Sequence, residues 1–264
     1  MSTNKPEFKD YLGWLETTST IALPKNYETY FNTITAIMKA DLENSELWIK
    51  ILENLREYND EYYIKTNYQL FREYTPSIVI KPYQSFLLKT YRKNILENKR
   101  WPDEPFVGWY FPENWLSRIN DTIRTLFEVK YLDGVEFLIS KIETLCKERN
   151  DRFEYHLEAR DEGYYAGHVY ITQQFEIPKI TWDTEIITPK VEIQITTQLQ
   201  EVIRQLLHNY YEENRKSTDK SENWQWKFRS NEFSANYLGH ILHYLEGMIV
   251  EVRDESRHEK EKPL

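Results

Sequence analysis

Four short runs in the middle of this chain alternate β-branched or aromatic residues with polar ones, and helical patterns stand on both sides of them. The runs are Thr125–Val129, Phe153–Ala159, His168–Gln174 and Lys190–Thr196. A period of two over such lengths describes strands that turn one face to a core. Between the first two lies Gly134 to Lys147, which reads as an amphipathic helix. Ahead of them, Tyr27 to Tyr74 has apolar residues at helical spacing (Ile34, Ile37, Met38, then Leu47, Ile49, Ile51, Leu55), and Thr75-Pro76 breaks the pattern. Ser85 to Leu96 is a second helical stretch, Trp101-Pro102 through Pro112 a loop, and Pro112 opens a short helix with Trp115 and Ile119. Gln198 to Glu213 and Leu238 to Val252 follow the strands as helices. Helices bracketing a cluster of strands predict an α+β domain with a mixed sheet. The expected boundaries are a helical extension over 1–78, the domain over 79–252 and a charged tail over 253–264.

Composition narrows what such a domain can do. At 264 residues there is room for one full-sized domain, or one domain with a helical extension. The net charge of −9 argues against coating nucleic acid through bulk electrostatics, though it leaves a local basic pocket open. Aromatic residues at 15% can fill a core or stack on bases, and composition does not separate the two uses. Cys146 stands alone, so neither an intramolecular disulfide nor a thiolate metal cluster is expected. Met1 to Asp10 is polar and unlike a secretory leader, and there is no long apolar run for a membrane span. The simplest expectation is a cytoplasmic protein that does not enter a membrane.

Within this acidic chain, Lys81 to Arg100 reverses the charge: it holds Lys81, Lys89, Arg92, Lys93, Lys99 and Arg100 against Glu97. On a helix Ser85, Lys89 and Arg92 share a face, and cations with a hydroxyl on one face can cradle a polyphosphate. A charge run is more often simply a solvated face. Asp121 precedes the Thr125 strand. Within Val191-Glu-Ile-Gln-Ile195, alternation puts Glu192 and Gln194 on the face opposite the apolar three. Taken alone, Glu192 fits an edge or solvent-facing carboxylate better than a site residue. Gly163-Tyr164-Tyr165-Ala166-Gly167-His168 is a glycine-rich turn that could hold a ring over a ligand, or equally a plain hairpin turn with packed tyrosines. His208 suits an ordinary helix histidine.

Taken in order, these pieces resemble the synthetase domain of the RelA/SpoT family. Lys81, Ser85 and Lys89 match its Arg-x-Lys-x-x-x-Ser-x-x-x-Lys stretch, and Asp121 its acid before a central strand. Arg160, Gly163-Tyr164 and His168 match its Lys-x-x-Gly-Tyr-Arg-x-x-His turn. Glu192-Ile-Gln194-Ile195 and then His208 match its Glu-x-Gln-Ile-Arg-Thr strand and following helix. The resemblance covers about residues 79 to 215. It implies a nucleotidyltransferase-like mixed sheet and transfer of pyrophosphate from ATP. Lys81, Ser85, Lys89 and Arg92 would hold the ATP phosphates. Asp121 and Glu192 would hold Mg²⁺, with Glu192 also the base at the attacking ribose hydroxyl. Tyr164 would stack on the acceptor base, with Arg160, His168, Gln194 and His208 completing the acceptor site.

The departures from the pattern carry information too. Val79 stands at the family's first Arg, with Arg92 and Arg124 the nearest substitutes. Tyr165 replaces the Arg of the Gly-Tyr-Arg turn, and Thr196 the Arg of the Gln-Ile-Arg-Thr strand. Two cations fewer near the acceptor suit a substrate without a free 5′-phosphate. That pattern is similar to the toxic small alarmone synthetases, some of which modify the 3′ end of tRNA. The resemblance thus implies a tRNA 3′-end pyrophosphokinase acting as a toxin with an antitoxin partner. The alternatives are an alarmone synthetase making (p)ppGpp or ppApp, and a degenerate module that only binds RNA or protein. No His-Asp hydrolase motif is visible. An RNA substrate also asks for a basic patch, and Lys216, Lys220, Lys227 and Arg229 form the next candidate.

Overall fold

The structure, a computed structural model, describes residues 4–19, 26–72, 76–178, 183–206 and 223–260. In chain order the elements are α1 (Tyr11–Thr18), α2 (Tyr27–Glu43), α3 (Glu46–Thr66), β1 (Ile78–Ile80), α4 (Tyr83–Tyr91), α5 (Trp115–Arg118), β2 (Ile123–Val129) and α6 (Leu132–Arg149). There follow β3 (Phe153–Ala159), β4 (Tyr165–Thr172), β5 (Phe175–Pro178), β6 (Thr184–Ile187), β7 (Lys190–Thr197), α7 (Gln198–Leu206) and α8 (Asn231–Lys260). Strands β1-β2-β7-β4-β3 form one sheet in that order, and β5 and β6 pair as a separate antiparallel hairpin. The expected α+β architecture with a mixed sheet and N-terminal helices is what the chain adopts.

The residues group into two compact units, the first made of 1–45, 78–124 and 170–192. Its helix α2 turns Tyr27, Phe31, Ile34, Met38 and Leu42 inward, spaced as one helical face. Rings fill this core: Phe31 lies 4.6 Å from Phe86, and Trp115 meets Phe86 at 5.5 Å and Tyr27 at 5.3 Å. Helix α1, which the periodicity did not reveal, is anchored by the fully buried Tyr11. The Tyr11 hydroxyl donates to Thr90 Oγ1 at 3.2 Å and accepts from Asn94 Nδ2 at 2.7 Å. Asn94 also brackets the Tyr110 backbone, donating to its O and accepting from its N, which ties down the Pro-rich loop.

The second unit comprises 46–77, 125–169 and 193–264. Helix α3 buries Leu47, Trp48, Ile51, Leu55, Tyr58 and Tyr62, and α6 buries Val135, Leu138, Ile139, Ile142 and Leu145. Helix α6 ends at Asn150 in the left-handed conformation, φ 58°, which suits the short amide side chain. Cys146 is buried in this core, and burial pushes its thiol up to about 12, so it is an inert apolar group.

Helix α8 begins at Asn231 rather than at Leu238 and continues to Lys260, past the boundary expected at Val252. Arg253, assigned to a charged tail by the sequence, is only 7% exposed. Its Nη1 and Nη2 fork onto Asp133 at 3.1 and 2.9 Å, and Nη1 also reaches the Tyr62 hydroxyl at 2.8 Å. A paired guanidinium of this kind holds a helix end, which a sequence-only reading of charge density does not anticipate. The helix stretch expected to run to Glu213 is seen over Gln198–Leu206, and 207–213 lie outside the described residues.

Candidate active site

The cation-rich segment forms its chemistry around one acid. Lys81 follows strand β1, and its backbone N–H donates to Thr122 O at 2.9 Å, placing it beside the Asp121 turn. Lys81 Nζ then lies 2.9 Å from Asp121 Oδ2, and Lys89 Nζ lies 2.9 Å from Oδ1. Lys89 reaches Oδ1 as an ion pair without an aligned hydrogen bond, so that buried oxygen keeps an unused hydrogen-bonding direction. The Asp121 side chain is 13% exposed and that of Lys81 14%. Burial pushes the Asp121 carboxyl up, but the ammonium groups of Lys89 and Lys81 outweigh it and bring it to about 2. Burial lowers Lys81 below an ordinary amine despite Asp121. An ionised acid between two ammonium groups is a desolvated charge cluster with excess positive charge, which a polyphosphate would complement.

Ser85 is half-buried on α4, the helix that carries Lys89. Arg92 continues α4 with helical φ −58° and ψ −46°, three residues beyond Lys89, but its charge is already paired. It starts a π-helical turn, Arg92–Leu96, and pairs with Glu97 Oε1 at 2.7 Å, while Lys93 takes Oε2 at 2.8 Å. Val79 on β1 is 45% exposed, with no cation at that position.

Glu192 corrects the solvent-facing reading. It sits on β7, the central strand of the sheet, and is 6% exposed. Its Oε1 accepts a hydrogen bond from the Tyr170 hydroxyl at 3.1 Å, on the neighbouring strand β4. A carboxylate on a central strand needs such partners because no edge exposes it to water. Two residues along β7, Gln194 is 9% exposed and follows on the same face, as alternation predicted.

Gln194 belongs to a second group, in the other unit. Its Nε2 makes a short hydrogen bond to the Tyr164 hydroxyl, which also meets His168 Nε2 at 3.2 Å. The Arg160 guanidinium lies over the Tyr164 ring, 5.1 Å from its centre. Glu158, which the sequence reading missed, joins them. Its Oε1 takes Arg160 Nε at 2.7 Å and its Oε2 takes His168 Nε2 at 3.0 Å. These hydrogen bonds, led by that of His168, overcome burial and hold the Glu158 carboxyl at about 2. His156 stacks on His168 with ring centres 5.1 Å apart.

Gly163 shapes the turn that carries Tyr164. Its φ of +79° is left-handed, and a side chain there would lie 2.4 Å from Asn236 O. Tyr165, in place of the family's Arg, stacks flat on His243 at 3.6 Å and bonds His240 Nδ1 at 2.7 Å, so it packs against α8. Thr196 Oγ1, in place of the other Arg, donates to Tyr165 O at 3.3 Å. The structure thus brings Lys81, Lys89 and Asp121 together, and separately Arg160, Tyr164, His168 and Gln194. His208 lies outside the described residues, as do Lys216 and Lys220. Glu158 carried one faint signal, an acid two residues before Arg160 at the end of β3.

No protein-family model and no curated protein matches this chain. Solved structures do. A GTP pyrophosphokinase family protein from Streptococcus pneumoniae is 16% identical, with a TM-score of 0.51 over 89% of this chain and 96% of that one. Small alarmone synthetase 1 from Bacillus subtilis, bound to its product pppGpp, is also 16% identical, with a TM-score of 0.51 over 89% of this chain and all of that one (100%). The chain therefore has the fold of the RelA/SpoT-type small alarmone synthetases, as its motifs led us to expect.

Proposed function

We propose that this protein is an ATP-dependent pyrophosphokinase that places the β,γ-pyrophosphate of ATP on a ribose 3′-hydroxyl. The observation that carries this reading is the buried Lys81–Asp121–Lys89 cluster, a phosphate cradle built around an acid that stays ionised. Lys81 and Lys89 would turn to the ATP phosphates, with Ser85 on the same helix. Glu192 would take the proton from the attacking hydroxyl, steadied by Tyr170. The new bond joins the ribose 3′-oxygen to the β-phosphorus, and the bond from that phosphorus to the α–β bridging oxygen breaks, releasing AMP. Charge spreads over phosphoryl oxygens in such a transfer, so positioned cations supply most of the acceleration.

Asp121 and Glu192 suit Mg²⁺: both offer hard oxygen donors, and Asp121 Oδ1 is buried without an aligned hydrogen bond. Mg²⁺ arriving with the nucleotide would neutralise phosphate charge there.

For the acceptor we favour the 3′ end of tRNA. Tyr164 would stack on the terminal base, with Gln194 and His168 at its hydroxyl. The loss of two family cations to Tyr165 and Thr196 supports an acceptor with no free 5′-phosphate. Exposed Lys227 and Arg229 alternate with Trp226, 83% exposed, and Phe228, 67% exposed, and the Arg229 guanidinium lies over the Phe228 ring. Rings interleaved with cations suit an RNA strand. Such an activity would block aminoacylation and make the protein a growth-inhibiting toxin held in check by an antitoxin. Among the described residues no helix is long and apolar enough to cross a membrane.

The test is incubation with ATP labelled at the β-phosphate, together with tRNA or with GDP, GTP and ATP as acceptors. Label on tRNA is the expected result. Label on nucleotides alone would assign an alarmone synthetase, and none anywhere a module that only binds.

A further inference from the structure

We infer that Glu158 sets the acceptor class, by occupying Arg160 and His168 so that the subsite does not compensate a 5′-di- or triphosphate. This rests on the pyrophosphokinase reading above and names the residue that makes its acceptor selective.

The geometry leaves little of the local positive charge for a ligand. One carboxylate uses each oxygen on a different partner, Oε1 on Arg160 Nε at 2.7 Å and Oε2 on His168 Nε2 at 3.0 Å. The His168 side chain is 9% exposed and that of Glu158 23%, so water screens their contact weakly, while the Arg160 side chain, 43% exposed, is held by its pairing to Glu158 at the site's open edge. The flat face of Arg160 is engaged as well, over Tyr164. A diphosphate entering here would meet a guanidinium already neutralised and a carboxylate that repels it. Tyr165 and Thr196 add no charge in compensation, since one packs on His243 and the other bonds a backbone carbonyl. A nucleoside end whose 5′ side continues as a chain brings no such terminal charge to that spot. Glu158 therefore selects against free nucleotides by occupying their partners, and it acts on specificity through Arg160 and His168.

Removing the charge while keeping the shape tests this. The Glu158→Gln variant is expected to raise kcat/KM for GDP or GTP by at least about tenfold over the parent chain, while use of a tRNA 3′ end does not rise. The double variant Glu158→Gln/Arg160→Gln should lose that gain, because the gain is the freed guanidinium. A residue that only braces β3 against β4 would lower both acceptors alike, and that result overturns the inference. GDP binding without ATP, read by calorimetry, gives a second measurement that needs no turnover: tighter binding by Glu158→Gln supports the inference, and unchanged binding sinks it. If the parent chain transfers to no acceptor, the pyrophosphokinase reading fails, while the GDP titration still decides whether Glu158 blocks a phosphate site. Glu158→Ala serves in the same assays should the Gln form not fold.

Discussion

The Tyr170 hydroxyl donates to Glu192 Oε1 across 3.1 Å, from the strand next to the one that holds the acid. Glu192 is 6% exposed, so this bond helps fix the carboxylate where water cannot. Replacing Glu192 by Gln should lower transfer by about 10²–10⁴-fold, the range for a positioned general base. Tyr170→Phe keeps the acid and loses only its orientation, so kcat should fall by less, with KM for ATP little changed. Steady-state kinetics on both variants checks this, and equal losses would count against Glu192 as the base.

Asp121 holds two ammonium groups apart in a buried place. Asp121→Asn leaves Lys81 and Lys89 without their counter-charge, and breaking such a buried pair costs about 3–5 kcal/mol. Urea unfolding should show a lower midpoint and an unfolding free energy smaller by that amount. Lys89→Met, which removes the more exposed of the two ammonium groups (32% against 14% for Lys81), should cost distinctly less. If Asp121→Asn is as stable as the parent chain, the charge cluster is not a buried one.

Acid should unfold the protein in a definite window. Asp121 and Glu158 have carboxyls lowered to about 2 from ordinary values of 3.8 and 4.5. A lowered folded-state value means the stabilisation is fully present above the unfolded values and is lost as pH falls toward about 2. Thermal melts between pH 5 and 2 should therefore fall most steeply below about pH 4. The Asp121→Asn/Glu158→Gln double variant should show a flatter profile.

Truncation distinguishes a tail from an anchor. Ending the chain after Val252 removes Arg253 and its fork onto Asp133 and the Tyr62 hydroxyl, leaving only the Tyr62-to-Asp133 hydrogen bond at 2.9 Å. That protein should melt at a lower temperature, by less than a fully buried ion pair would cost because the Asp133 side chain is 36% exposed. Ending it after Lys260 should change the melting temperature little. Equal stability of the two would return Arg253 to the status of a loose charge.

Gly163→Ala asks whether the turn positions Tyr164. The added carbon would sit 2.4 Å from Asn236 O, at a φ of +79°. Strain of about 1–3 kcal/mol is expected, together with a higher KM for the acceptor and an unchanged KM for ATP. A rise in both constants would point to general unfolding.

Much of this architecture was legible because its signals are local. Strand β3 occupies the expected residues Phe153–Ala159, and β7 ends one residue beyond its predicted Thr196. Helix α6 runs two residues beyond the expected Gly134 to Lys147 at each end. Elements that escaped are those with too few residues to show a period: β1 has three, β5 and β6 four each. Helix α1 was hidden because its apolar residues are few, and α8 was expected only over its Leu238–Val252 part, with Gly239 inside it. Gly239 is there for contact, since its backbone abuts Gly163.

What the amino-acid order determined by itself is the order of the longer strands and helices, the family likeness, and Lys81, Lys89, Asp121, Tyr164 and Glu192 as candidates. Periodicity and spacing are properties of neighbouring residues, so they can be read along the chain. Only the tertiary structure decided which charges are spent on one another. Arg92 closes on Glu97, Arg253 on Asp133, and Glu158 on both Arg160 and His168. Those pairings depend on strand neighbours, on a π turn and on burial. Coulomb energy at a few ångströms turns on such placements, and chain position does not reveal them.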